Sequence, residues 1–327
     1  MTGQHSDIVD YPNVTLDRCG IGRQSLLLTK DVGHCLKWYN RSSLMLSEVQ
    51  YGRVAEPGEW PWITYIEVTL KYDSWLCFND CYRSISGTGV ILNKQWIITA
   101  AHVLFMIKNE YKDYKIDSIV VYPGINDKRV LGKSYESDKH FVNPVYEYSH
   151  NTGDDIGLIK LKEELPIPTP NNPLSTAPVV QQSDNQFMYT TQTMNSICLP
   201  KESLTNFRQE FALFAGFGLL NNSQPNEDRL RMGWTRISGQ MSNTTDEYGK
   251  CIIGLRDPEY TGSALCKGDS GGPLIQYIND RAVLIGIQVE VDALKGQSCT
   301  GLTTDSLMYF VRIAHQISWI VRTVSRN

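Results

Sequence analysis

The apolar positions of the chain fall into short runs rich in β-branched and aromatic residues, with glycine, asparagine and proline between them. In the first run, residues 61–70, apolar and polar side chains partly alternate, which is typical of a strand. Further runs of this kind occupy residues 89–93, 95–99, 118–122, 156–161, 211–216 and 282–289. Many short strands separated by turn residues predict an all-β fold, built either as antiparallel barrels or as a sandwich.

Three segments depart from this strand pattern. Residues 311–321 carry isoleucines at helical spacing on one face, which predicts an α-helix at the end of the chain. Residues 166–186 are first proline-dense and then polar, so they predict a surface insertion largely without regular structure. Residues 1–48 contain too little apolar sequence to form a core of their own. They therefore predict an N-terminal extension to a domain at residues 49–327.

Composition narrows the class of protein. A chain of 327 residues can bury a large core, and its net charge of −4 gives no reason to expect nucleic acid or an anionic membrane as a partner. No uninterrupted apolar run approaches the roughly 18 residues that a membrane-spanning helix requires. The sequence therefore predicts a globular protein with neither a nucleic-acid partner nor a membrane span.

Cysteines and glycosylation sequons favour an extracellular location. The chain has eight cysteines, an even number that fits a disulfide-bonded secreted protein. Acceptor sequons for N-glycosylation occur at Asn13, Asn40, Asn221 and Asn243. The first residues have neither the basic nor the apolar region of a signal peptide. We therefore expect a secreted glycoprotein whose signal peptide is not visible in this sequence.

The stretch Gly-Asp-Ser-Gly-Gly-Pro at residues 268–273 is the strongest candidate for chemistry. Two adjacent glycines disfavour a helix and permit a tight turn in which backbone N–H groups converge. A serine at the tip of such a turn, with donors beside it, is suited to nucleophilic attack and to stabilising the oxyanion that forms. The alternative is an ordinary loop, since the same residues are common in loops.

A serine nucleophile needs a base, and the base needs a group that orients it. His102 follows the apolar run 95–99 and is flanked by small residues that leave its ring accessible. Asp154 and Asp155 precede the apolar run 156–161. Taken singly, a histidine after a strand is more often structural, and an aspartate before a strand is more often a turn residue.

In the order His102, Asp155, Ser270, these residues resemble the triad of the chymotrypsin-like, trypsin-fold serine proteases. The resemblance extends over residues 49–327. It includes residues 58–62, 143–146, 197–200, 216–218 and 228–230, and Trp319 in the closing helix. It implies two six-stranded antiparallel β-barrels with the active site in the cleft between them, and a propeptide-like role for residues 1–48.

The resemblance assigns a role to each member of the site. Ser270 is the nucleophile, His102 the general acid and base, and Asp155, which directly precedes its strand, fixes the imidazole tautomer. The backbone N–H groups of Gly268 and Ser270 form the oxyanion hole. The implied partners are a protein or peptide substrate, an activating protease and a protein inhibitor. No cofactor and no metal is implied, and no calcium loop is recognisable between His102 and Asp155.

Members of this family are usually made as zymogens, and the new N-terminal amine then pairs with the aspartate before the nucleophile, here Asp269. Family spacing places that N-terminus at Val49, but the preceding residue is Glu48 where arginine or lysine is typical. A cut between Arg53 and Val54 would leave the new N-terminus five residues too short. Two hypotheses follow: an activator with acidic preference cuts after Glu48, or the chain is never conventionally activated.

The cysteines match the family only in part. The resemblance implies a Cys266–Cys299 bridge beside the specificity pocket and a Cys35–Cys198 bridge tethering the extension. Cys77 and Cys81 are near enough in sequence to close a local loop. Cys19 and Cys251 remain, and pairing them with each other is a guess. A further family bridge is missing, because its two positions are occupied by Gly87 and Val103.

The specificity pocket also departs from that of trypsin. Its floor position falls on Ala264, so the acidic residue that attracts arginine and lysine is absent, and its walls fall on Val291 and Met308. A shallow apolar pocket for a small or apolar P1 side chain, the residue before the cleaved bond, is implied. Glu290 stands where the family usually has tryptophan, at the edge where substrate docks. The leading hypothesis is a serine endopeptidase; the alternative is a catalytically silent homologue that acts as a regulatory or binding module.

Overall fold

The protein was analysed as a computed structural model. It describes residues 11–21, 52–72, 81–105, 114–167, 177–183, 186–192, 194–202, 211–218, 228–237, 250–255, 268–291 and 307–327. Most of these residues belong to two barrels and a C-terminal helix. The predicted all-β fold, in its two-barrel form, is therefore confirmed.

The first barrel is closed and antiparallel, with the strand order β2-β3-β4-β7-β6-β5. Alternate side chains of β2 point into it, and Ile66, Val68 and Leu70 are almost completely buried, as period-2 alternation requires. Its strands are β2 (Ile63–Tyr72), β3 (Cys81–Ile91), β4 (Trp96–Thr99), β5 (Lys115–Pro123), β6 (Tyr135–Val142) and β7 (Gly157–Leu161).

The second barrel has the order β11-β10-β13-β14-β15-β12 and is closed by pairing between β12 and β11. A short strand β1 (Arg53–Val54) pairs with the start of β11. The strands of the barrel are β10 (Phe211–Gly216), β11 (Arg231–Ile237), β12 (Cys251–Leu255), β13 (Pro273–Ile278), β14 (Arg281–Val291) and β15 (Leu307–Arg312).

A two-stranded hairpin corrects the prediction that residues 166–186 largely lack regular structure. Strands β8 (Ala177–Ser183) and β9 (Gln186–Gln192) pair antiparallel, with Ser183 opposite Gln186. The prediction was wrong because the prolines lie before residue 177, except for Pro178 near the start of β8, whereas valine, tyrosine and threonine farther along favour strands.

Three helices and one 3₁₀ turn complete the described residues. The predicted C-terminal helix is α3 (Ile313–Arg326), which begins two residues after the expected start because residues 311–312 still belong to β15. The shorter elements all lie close to the cleft. They are α1 (Ala101–Leu104), α2 (Pro144–Ser149) and the 3₁₀ helix Thr152–Asp154.

Residues 11–21 pack against both barrels. Val14 is completely buried in the core, and the side-chain amide of Asn93 donates to the carbonyls of Asn13 and Val14 at 3.0 and 3.3 Å. Asn13 itself is exposed, so the sequon at this residue is accessible for the predicted glycosylation. The sequons at Asn40, Asn221 and Asn243 lie outside the described residues.

The disulfide at Cys198 corrects two predicted pairings. Cys198 is bonded to Cys19, so the prediction of Cys35–Cys198 and the guess that Cys19 pairs with Cys251 are both wrong. The physical reason is the backbone around Cys19. The N–H of Gly20 donates to Ser196 and its carbonyl accepts from Ala282, which holds Cys19 against Cys198.

The remaining cysteines are only partly described. Cys81 is disulfide-bonded, and Cys251 lies buried at the start of β12. The predicted partner of Cys81, Cys77, lies outside the described residues, as do Cys35 and the predicted pair Cys266 and Cys299.

Candidate active site

Strand pairing brings the candidate histidine and aspartate together. Thr99 at the end of β4 lies opposite Gly157 at the start of β7. Because the two strands are antiparallel, the residues after Thr99 and the residues before Gly157 emerge at the same end of the barrel. His102 lies in α1, which follows β4, and Asp155 lies two residues before β7. The register of two neighbouring strands therefore sets the position of both side chains.

Two hydrogen bonds join His102 to Asp155. The backbone N–H of His102 donates to Asp155 Oδ1 at 2.8 Å, and His102 Nδ1 lies 2.7 Å from Asp155 Oδ2. The aspartate side chain is 8% exposed, while that of the histidine is 31% exposed. A proton on Nδ1 satisfies this contact and leaves the lone pair on Nε2, so the imidazole is oriented to accept a proton on its accessible side.

Asp154, the neighbour of Asp155, has a different partner. Its Oδ2 lies 2.7 Å from Lys250 Nζ, and its Oδ1 accepts from Gln316 Nε2 at 3.2 Å. Gln316 also accepts from Asn143 Nδ2 at 2.9 Å. This buried network joins the loop before β7 to β12 and α3. The structure thus brings Asp155, and not Asp154, to His102.

Electrostatics favour the protonated form of His102. Burial lowers the pKa of His102, but the charge and hydrogen bond of Asp155 and the more remote charge of Glu290 raise it by more. The net result is a pKa above that of an ordinary histidine. A base whose protonated form is stabilised in this way is suited to accept a proton from a hydroxyl group.

The turn around Ser270 requires its glycines. Gly268 has φ 100° and Gly271 has φ 85°, backbone angles that residues other than glycine rarely adopt. A Cβ on Gly271 would lie 2.1 Å from both Thr88 O and Thr99 Oγ1. The Ser270 carbonyl accepts from the Thr88 N–H at 2.8 Å. The turn therefore lies directly against β3 and the end of β4, the strand that leads to His102.

Ser270 lies on the barrel that faces this pair. Its backbone belongs to the loop before β13 in the second barrel, and its side chain is partly exposed. Within the described ranges, no hydrogen bond joins Ser270 Oγ to His102. The structure therefore joins two of the three predicted catalytic residues and places the third on the facing barrel. In proteases without bound substrate, such contacts are often long.

Asp269 is buried beside the turn. Its carboxylate accepts from the Gly218 N–H at 2.8 Å, and only 2% of the residue is exposed. Cβ atoms on Gly216 or Gly218 would collide with this carboxylate, so both positions need glycine. Its predicted partner, Val49, lies outside the described residues, as does Glu48.

The alternative cut between Arg53 and Val54 falls within a strand. Both residues belong to β1 and lie opposite Met232 and Arg231 of β11. Arg53 Nη1 also donates to Glu59 Oε2 at 2.7 Å. A protease binds its substrate as an extended chain, so this bond is accessible only if β1 separates from the barrel.

Gly87 and Val103, at the positions of the missing family bridge, face each other. A Cβ on Gly87 would lie 3.0 Å from each methyl group of Val103. The valine side chain therefore occupies the space next to the glycine, and van der Waals packing replaces a covalent link between β3 and α1.

Restoring a bridge at this place is a test of the geometry. In a disulfide, Cβ and the distant sulfur are about 3 Å apart, which is close to the separation seen here. We expect the double variant Gly87→Cys with Val103→Cys to oxidise spontaneously and to raise the free energy of unfolding by about 3 kcal/mol, given a loop of about 15 residues. Chemical denaturation with and without reductant measures this. Unchanged stability of the oxidised form, or free thiols after oxidation, would contradict the close approach of Gly87 and Val103.

Two of the residues predicted to line the specificity pocket lie on neighbouring strands. Met308 is fully buried and lies opposite Gly254 on one side and Val291 on the other. Val291 is partly exposed at the end of β14. The predicted floor residue, Ala264, lies outside the described residues.

Sequence reasoning missed several polar residues around the site. Gln288 is buried under the serine turn, where its Nε2 donates to Ala215 O at 3.1 Å, and Thr152 Oγ1 donates to Glu290 Oε2 at 3.1 Å. A polar residue inside the apolar run 282–289 was the available signal for Gln288. Lys250 gave no such signal, because only tertiary structure brings it to Asp154.

Among the described residues there is neither a candidate metal site nor a candidate membrane-spanning helix. No cluster of three or more His, Cys, Asp or Glu side chains there could hold a metal ion. No helix in the same ranges is long and apolar enough to cross a membrane.

Comparison with known proteins identifies the family. A family model described as Trypsin matches residues 49–320. U21-ctenitoxin-Pn1a of Phoneutria nigriventer is 25% identical over 238 residues, which cover 70% of this chain and 83% of that protein. The clotting factor G beta subunit of Tachypleus tridentatus is 26% identical over 259 residues, which cover 74% and 71% of the two chains. Coagulation factor XI of Bos taurus is 26% identical over 244 residues, 70% of this chain but only 31% of factor XI.

The chain that carries His102, Asp155 and Ser270 in this order belongs to the trypsin family of serine proteases.

Proposed function

We propose that this protein is a secreted serine endopeptidase that hydrolyses peptide bonds through an acyl-enzyme, with Ser270, His102 and Asp155 as its triad. The observation that carries the proposal is the two-point contact between His102 and Asp155. The 2.8 Å bond fixes the backbone of His102 relative to the carboxylate, and the 2.7 Å contact fixes the ring. Such an arrangement serves a general base better than a merely structural histidine.

The chemistry follows from these positions. Ser270 Oγ attacks the substrate carbonyl while its proton passes to His102 Nε2, and the backbone N–H groups of Gly268 and Ser270 stabilise the oxyanion. His102 then gives this proton to the leaving amine, the C–N bond breaks, and the acyl group remains on Ser270 as an ester. A water molecule, deprotonated by His102, attacks the ester, the bond between the acyl carbon and Ser270 Oγ breaks, and His102 returns the proton to Ser270 Oγ as the acid leaves.

The proposed P1 preference is for small or apolar side chains. Complete burial of Met308 and the position of Val291 beside it support a shallow pocket, and Ala264 supplies no charge. Cleavage of a proteome-derived peptide library, read as new termini by mass spectrometry, tests both activity and preference. Ser270→Ala is the control. No cleavage beyond this control would contradict the endopeptidase, and cleavage mainly after arginine or lysine would contradict the pocket.

Activation by a cut between Glu48 and Val49 belongs to the same proposal. The buried carboxylate of Asp269, in a niche bounded by Gly216 and Gly218, supports it because activation in this family places the new amine beside this aspartate. We expect N-terminal sequencing of the active native protein to begin at Val49. Full activity of a chain whose N-terminus lies upstream of residue 48 would contradict activation at this bond.

The alternative function is a catalytically silent homologue that binds or regulates another protein. Two observations favour it: Ser270 makes no hydrogen bond to His102 within the described residues, and Met308, predicted to line the pocket, is completely buried beside Val291. The library experiment separates the two functions, since a silent homologue leaves every peptide intact.

A further inference from the structure

The last residues of β14 offer an edge for an extended peptide. Strand β13 pairs with β14 only as far as Ile287, which lies opposite Pro273. Gln288 then bonds to the backbone of the serine turn, through Gly271 and Gly272. Beyond a register shift at Val289, Glu290 and Val291 pair with β15 on one side, and on the other side no strand of the described ranges faces them. An extended substrate can add to this edge as a further strand.

Glu290 projects from this edge towards the base. Its Oε2 accepts from Thr152 Oγ1 at 3.1 Å, and Thr152 begins the 3₁₀ turn that leads into Asp155. Its charge contributes to the raised pKa of His102. It also adds to the raised pKa of Tyr146, for which burial is the main cause and Asp155 a second one. The Glu290 carboxylate therefore lies beside the turn that leads into Asp155, the hydrogen-bond partner of His102.

This carboxylate is free to bind a ligand. Glu290 is exposed, and no lysine, arginine or histidine of the described residues forms an ion pair with it. The nearby Lys250 is committed to Asp154 at 2.7 Å. A carboxylate has about four acceptor positions, so the single bond from Thr152 leaves most of them available.

Side-chain alternation determines which substrate residue reaches Glu290. In an extended peptide, successive side chains point to opposite faces. Val291 and Met308 lie opposite each other and share one face of the sheet, whereas Glu290 and Tyr309 share the other face. If the residue before the cleaved bond points to the face of Val291 and Met308, the second residue before it points to the face of Glu290. A long cationic side chain at that second position therefore points towards the Glu290 carboxylate.

We propose that Glu290 forms an anionic subsite that selects lysine or arginine at the second substrate residue before the cleaved bond. The proposal rests on the proposed peptidase function and adds a substrate class to it. An exposed ion pair of this kind should favour the cationic residue by about fivefold. The preference should weaken as ionic strength rises, because salt screens exposed charges.

Glu290→Gln is the matched variant. Glutamine keeps an oxygen that accepts from Thr152 and has nearly the same shape, so the variant removes the charge and little else. Glu290→Lys reverses the charge. Because Glu290 is exposed, both variants should fold, which thermal unfolding checks.

The experiment uses peptide pairs that differ only at the second residue before the cleaved bond, lysine in one and norleucine in the other. The ratio of their kcat/KM values is measured within each enzyme, so that any general change in activity cancels. We expect about fivefold preference for lysine in the wild type, none in Glu290→Gln, and a preference for norleucine over lysine in Glu290→Lys. Equal rates in the wild type, or a lysine preference that survives in Glu290→Gln, would overturn the subsite.

Binding of the same peptides with a reduced, uncleavable bond separates this proposal from the peptidase function. If the wild type binds the lysine peptide more tightly and Glu290→Gln does not, the subsite is supported even if no peptide is hydrolysed. In that case only the proposed peptidase function fails. Equal or undetectable binding of both uncleavable peptides overturns the subsite, whatever the hydrolysis rates.

Discussion

Replacing Asp155 with asparagine should lower kcat for peptide hydrolysis by about 10⁴-fold. The wild-type carboxylate accepts from His102 Nδ1 at 2.7 Å and so keeps the ring proton on that nitrogen. An asparagine amide can instead donate to Nδ1, which moves the proton to Nε2 and removes the base facing Ser270. The side chain is nearly isosteric, so thermal unfolding should change little while steady-state hydrolysis of a peptide substrate collapses.

Asp154→Asn is the neighbouring control. Asp154 pairs with Lys250 at 2.7 Å and with Gln316, and no hydrogen bond joins it to His102. Its replacement should therefore cost stability, about 2 kcal/mol for a largely buried ion pair, with a much smaller effect on kcat. Equal kcat losses in the two variants would mean that Asp155 does not have the proposed role.

Gly268→Ala should lower kcat by about 10²- to 10³-fold with a smaller change in KM. Gly268 has φ 100°, and a Cβ there would lie 3.1 Å from Gly218 Cα. Relief of this strain turns the Gly268 N–H away from the oxyanion, which is worth about 3 kcal/mol in the barrier. Steady-state kinetics gives kcat and KM separately.

Gly132→Ala is the matched control for backbone strain. Gly132 has φ 68° and lies between β5 and β6, away from Ser270. Both variants should lose roughly 1 kcal/mol of stability from an alanine at positive φ, but only Gly268→Ala should lose activity. If kcat of Gly268→Ala stays within a factor of two of the wild type, its N–H does not stabilise the transition state.

Local sequence predicted the elements that position the site. Apolar runs at residues 95–99 and 156–161 correspond to β4 and β7, whose pairing brings His102 and Asp155 to one end of the barrel. Glycines in the serine turn marked a backbone that only glycine adopts easily, and Gly268 and Gly271 have positive φ. These predictions succeeded because periodicity and glycine content are local properties.

Other elements left no local signal. β6 (Tyr135–Val142) is mostly polar and largely exposed, so it lacks the apolar run that marks its neighbours. The choice between Cys19 and Cys35 as the partner of Cys198 depends on backbone hydrogen bonds of Gly20 that sequence spacing does not encode. The ion pair of Lys250 with Asp154 joins residues 96 positions apart, which only the folded chain brings together.

The central claim is that Ser270 is a nucleophile activated by His102 and Asp155. Labelling with a fluorophosphonate tests this claim most directly. The reagent forms an O–P bond with an activated serine and expels fluoride, so it reports activation without knowledge of the substrate. It is applied to the intact chain and to a variant in which a specific laboratory protease can cut before Val49. We predict an adduct on the peptide that contains Ser270 in the cut form, much slower labelling of Asp155→Asn, and none of Ser270→Ala. No adduct at Ser270 in either form would contradict the assignment.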